Sequence, residues 1–117
     1  MHMTATIAAD DMQAEMDSEM LLAYTPDGKG SGVSIERVVG TLNGRQGSFV
    51  MQGTGSFEGH AAATTWTIVP GSGTGELGGI RGGGGFPMQA SPDGVRFTLD
   101  YKFEAPKRRN LRLLGKL

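Results

Sequence analysis

The chain reads as all-β: one small antiparallel β-barrel of about seven or eight strands. Three observations predict this. Val95 to Phe103 alternates apolar and polar residues without a break, which puts Val95, Phe97, Leu99, Tyr101 and Phe103 on one face of a strand. Asn43-Gly44 stands between two β-branched or aromatic runs, the strongest short-range hairpin signal. Turn residues recur between short apolar runs, with no convincing helix among them. A closed barrel also removes the unpaired edges that an open sheet exposes.

The elements follow in order. Met20 to Tyr24 is a short apolar run closed by Thr25-Pro26-Asp27-Gly28, where proline presets φ and glycine is free to take positive φ. Val33 to Leu42 is a β-branched, alternating strand ending at Asn43-Gly44. Ser48 to Phe57 follows, with Phe49, Met51 and Phe57 on one face and Ser48, Gln52, Thr54 and Ser56 on the other. Glu58-Gly59-His60 turns the chain, Ala61 to Val69 is rich in strand formers, and Pro70 ends it. Ser91-Pro92-Asp93-Gly94 precedes the last strand.

Two segments stay open. Met12, Met16 and Met20 fit an amphipathic helix over residues 8–22, but a spacing of four also suits one face of a strand. Residues 106–117 are basic and carry Leu111, Leu113 and Leu114, which fits a short helix broken by Gly115 or an unstructured tail.

Composition bounds the function. The chain has 117 residues, enough for one domain, and 38% are apolar, enough for one small core. There is no cysteine, which removes disulfides and thiol chemistry and fits a cytoplasmic location. No run is long and apolar enough to span a membrane as a helix, and the N-terminus has no signal-peptide pattern. Met1-His2-Met3 resembles a cloning scar, so residues 4–104 are taken as the domain and 105–117 as a basic tail. Net charge is −1 but uneven: residues 10–19 hold five acids and no base, and residues 107–116 hold five bases and no acid. A nucleic-acid tail is disfavoured, because no aromatic residue interleaves the bases.

Residues 71–85 hold nine glycines in fifteen positions. Each costs about 0.5–1 kcal/mol in a regular element relative to alanine, so the backbone there must do something only glycine permits, or stay unfolded. Gly73-Thr74-Gly75-Glu76-Leu77-Gly78 matches G-x-G-x-x-G, but a dinucleotide site needs a helix opening at the motif, and none can start in Gly78 to Gly83. A phosphate loop lacks its Gly-Lys-Ser/Thr ending. A tightly coiled strand with Leu77 and Ile80 as its apolar anchors is the better reading.

Residues 20–103 resemble an uncharacterised bacterial family grouped with the allene-oxide-cyclase-like barrels. The match is carried by Leu22-Ala23-Tyr24 with Pro26-Asp27-Gly28, by Glu36 to Leu42 with Gly44, by Gly47 to Val50 and by Gly55-Ser56-Phe57. It continues through Trp66 to Leu77, Gly79-Ile80-Arg81-Gly82 and Leu99-Asp100-Tyr101. The resemblance implies a closed or nearly closed antiparallel barrel and no established activity. It also implies a strand before the segment matching residues 4–16, which this chain lacks. The resulting gap predicts a homodimer, or closure by the tail.

The allene oxide cyclase likeness implies an apolar cavity that positions a flexible substrate, with a few polar groups stabilising charge. Glu36, Glu76 and Arg81 are the candidate catalytic residues. Glu36 shares a face with Val38, Glu76 and Arg81 have small neighbours, and Arg81 is the only Lys or Arg between Arg45 and Arg96. A carboxylate against an apolar wall can act as acid or base. The plain alternative for these three is a structural ion pair or backbone cap. Glu58 and His60 belong to a turn at a barrel mouth, with a solvated His60 the plain reading, and Asp100 reads as outward or paired. Tyr24, Trp66, Phe49, Met51 and Tyr101 are the candidate ligand-binding residues, and the same side chains also suit a core. No catalytic triad is credible with only His60 available once His2 is excluded, and two histidines without a cysteine give a metal site poor ligands. No cofactor is implied.

Three readings result. The first is a barrel or scaffold binding a small apolar ligand. The second is a cyclase or isomerase using Glu36 or Glu76 as acid or base and Arg81 against an anion. The third is an interaction protein working through its tail. Neither a membrane nor nucleic acid is an expected partner.

Overall fold

The computed structural model describes residues 1–58, 61–86 and 97–104. Within them the chain forms β1 (His2–Ala9), β2 (Met12–Tyr24), β3 (Lys29–Leu42), β4 (Arg45–Glu58), β5 (Ala61–Ile68), β6 (Thr74–Gly75), β7 (Ile80–Phe86) and β8 (Thr98–Phe103). All pairings are antiparallel, in the order β1-β2-β3-β4-β5-β7-β8, with β6 pairing on β4. The expected all-β meander is present, and the described residues contain no helix. Closure is the correction: the sheet is open, with β1 and β8 as edges. The expected turns at His60 and Ser91–Gly94, the strand start at Val95-Arg96 and the tail lie outside the described residues.

The acidic segment settles as strand. Met12, Ala14 and Ser18 are buried and Met16 and Met20 partly so, while Gln13, Glu15, Asp17 and Glu19 alternate outward. A spacing of four serves both periods, and the polar residues between decide for two. Residues 2–9 form β1 against this strand. His2 Nδ1 meets Glu19 Oε1 at 2.6 Å and its Nε2 lies 3.8 Å from Asp17, both pairs exposed.

Asn43 and Gly44 both take positive φ (51° and 82°), the backbone of a two-residue hairpin turn. This fixes the β3–β4 register from Leu42↔Arg45 back to Lys29↔Glu58. In the Thr25–Gly28 turn, the Thr25 hydroxyl and then the Lys29 backbone N–H donate to Asp27 and hold its carboxyl below the usual range.

The core lies on the inward face. Val38, Phe49, Ile68, Leu77 and Ile80 are almost fully buried, so the two apolar residues of the glycine run are core anchors. The connection from β5 to β7 runs along the edge of β4 that β5 leaves free, and β6 pairs there with Gly47 and Ser48. There Thr74 Oγ1 meets Ser48 Oγ at 2.6 Å, and Ser72 Oγ accepts from the Val50 N–H at 3.0 Å. Ser48 is therefore buried although it sits on the outward face. Gly82 explains part of the glycine run. Its φ is +145°, and a Cβ there would sit 2.0 Å from the Asp100 carbonyl oxygen, so only glycine lets β7 and β8 approach so closely. Ile7 and Met12 of the first hairpin line a cleft of about 530 Å³ together with Phe97 and Leu99.

Candidate functional site

The site grows from one row of the sheet. Ser34 on β3 pairs with Gly53 on β4, and Gly53 pairs with Trp66 on β5. Gly53 has no side chain to stand between its neighbours. A Cβ there would come within 2.5 Å of Ser34 Oγ and 2.9 Å of the Trp66 ring. The indole therefore crosses over Gly53 and reaches β3, where Trp66 Nε1 donates to Glu36 Oε1 at 3.2 Å. Ser34 Oγ donates to the same oxygen at 2.6 Å.

Glu36 is 4% exposed, and its second oxygen, Oε2, has no hydrogen-bond partner. No salt bridge reaches it among the described residues. A buried carboxylate with an unmet acceptor is costly, on the order of 1–3 kcal/mol or more, and calls for an explanation. Beside it lies a cavity of about 360 Å³. Its wall is largely apolar: Tyr24, Phe57, Trp66 and Phe86 give it four aromatic rings, and Met16 and Met20 add thioethers. The rings occur as two pairs, Trp66 with Phe86 at 5.5 Å and Tyr24 with Phe57 at 5.3 Å between centroids. Among the described residues no Lys, Arg or His side chain lines it. A volume of this size sits at the small end of ligand pockets, roughly 300–1,000 Å³.

The sequence-predicted residues separate. Glu36, Trp66 and Tyr24 come together in this cavity. Phe49 and Met51 are buried in the core, and Tyr101 is half-buried in a separate pocket with Met12 and Leu42. Glu76 is exposed in the turn, where its Oε1 accepts from the Gln46 N–H at 3.3 Å. Arg81 pairs with Glu104 at 2.7 Å near the surface. Neither lines the Glu36 cavity. Glu58 is exposed and lies 3.7 Å from Lys29, and Asp100 is exposed as well. Ser34, Gly53, Phe57 and Phe86 were not singled out in sequence. The hairpin register could have found the first two, because Leu42↔Arg45 dictates Ser34↔Gly53.

Residues 2–101 match the family described as Protein of unknown function (DUF3224). The chain belongs to that family. A solved structure of a family member from Shewanella oneidensis MR-1, also of unknown function, is 33% identical. It superposes with a TM-score of 0.76, covering 89% of this chain and 76% of the other. None of the curated proteins compared with the chain matches it. Among the described residues no helix is long and apolar enough to cross a membrane, and no group of three or more His, Asp or Glu could hold a metal.

Proposed function

We propose that the protein binds a small, largely apolar ligand on the concave face of its sheet, in the cavity beside Glu36. One observation carries the reading: a 4%-exposed carboxylate with a free acceptor oxygen borders an aromatic-lined space of about 360 Å³. Such a group contributes nothing to packing alone, whereas it would orient a guest. The test is capture from bacterial metabolite extract, with mass spectrometry of what the protein retains. Ala62 shares the inward face with Thr64 and Trp66 and lines the cavity, so Ala62→Phe fills it. We expect a retained apolar compound that Ala62→Phe loses. Retention of nothing by the wild type contradicts the reading.

Cyclisation or isomerisation of an apolar metabolite is the second reading. It uses the same carboxylate as acid or base and rests on Glu36 alone, since Glu76 and Arg81 are engaged elsewhere. Barrel closure belongs to the proposal too. β1 and β8 have no further partner strand among the described residues, and a second copy of the chain supplies matching antiparallel edges. Light scattering giving the mass of two chains is the expected result; one chain at micromolar concentration overturns it.

A further inference from the structure

Resting on the ligand-binding reading, we infer that the ligand is an amine, protonated at neutral pH and carried on an apolar body. The carboxylate of Glu36 fixes the chemistry of the head group. Oε1 is already served by Ser34 and Trp66, and Oε2 accepts from nothing. To an ionised Glu36, the guest that completes the site is a donor. A neutral donor would complete the hydrogen bond but leave a buried negative charge uncompensated, which remains costly. An ammonium supplies both the donor and the opposite charge.

The walls point the same way. Trp66, Phe86, Phe57 and Tyr24 line the space, and aromatic rings attract organic cations. Met16 and Met20 present polarisable thioethers rather than competing donors. Among the described residues no Lys, Arg or His side chain lines the wall, and the one cation there, the Met1 ammonium, is engaged by the Met20 carbonyl at 2.9 Å. A carboxylate-bearing metabolite such as a fatty acid would place like charge against like.

The test uses two probes of matched shape, phenethylamine and phenethyl alcohol. Each is titrated against the protein at neutral pH while the emission of Trp66, the chain's one tryptophan, is followed. The amine is expected to bind at least about tenfold more tightly than the alcohol, the low end for a hydrogen bond to a charged group. Glu36→Gln keeps the shape and removes the charge, and is expected to reduce that preference to near unity while the alcohol still binds. Equal affinities in the wild type overturn the amine inference and leave the ligand cavity standing. So does a preference that survives in Glu36→Gln. No saturable response to either probe overturns the inference and the ligand-binding reading together. The wild-type comparison decides without the variant, should the variant not fold.

Discussion

The two ends of the inward face of β3, β4 and β5 are built from the same strands and behave differently. At one end Val38, Phe49 and Ile68 meet Leu77 and Ile80 in a core where each is nearly inaccessible. At the other, the same strands present Gly32 and Ser34, Gly53 and Gly55, and Ala62 and Thr64. Strand type, pairing and direction of the side chains are shared; only side-chain volume differs. A close-packed interior tolerates few voids, so a run of small inward residues on three adjacent strands makes space that the backbone does not refill. Glu36 stands at the boundary, where the packed end gives way to the hollow one. That position makes it inaccessible to bulk water and adjacent to the cavity at once.

The comparison can be broken by adding volume to each end. Val38→Phe enlarges a residue at 1% exposure inside the packed end, and is expected to cost about 1–3 kcal/mol, read from urea unfolding. Ala62→Leu adds methylenes at the hollow end and is expected to leave stability within about 1 kcal/mol of wild type, or to raise it, because the new atoms enter open space. If both substitutions cost alike, the two ends are equally packed and the cavity is not a feature of the folded protein.

Much of the fold was legible. The apolar alternation of Phe97 to Phe103, the Asn43-Gly44 turn and the inward set Phe49, Met51 and Phe57 all appear where period-two patterning puts them. Closure was not legible. A meander has the same local pattern whether its outer strands meet or part, because closure depends on accumulated twist and coil, which no single residue encodes. The acidic hairpin was ambiguous for a related reason, since methionines four apart satisfy helix and strand together.

The site was half legible. Glu36 stood out because it shares a strand face with the apolar Val38. Trp66 stood out as an aromatic able to line a cavity or a core, but its hydrogen-bond partner did not, since the contact crosses two strand pairings and depends on Gly53 lacking a side chain. Glu76 and Arg81 drew interest as lone charges among glycines. In the folded chain they serve backbone and surface contacts, because the glycine run gives them room but places them away from the concave space.

The most direct measurement follows the methionine methyl groups by nuclear magnetic resonance while phenethyl alcohol is added. Met20 lines the Glu36 cavity, and Met12 lines the separate cleft with Ile7, Phe97 and Leu99 instead. A ligand site at the hollow end predicts a saturable shift of the Met20 methyl signal with Met12 unmoved. A Met20 signal that never shifts, or a shift at Met12 without one at Met20, would contradict it.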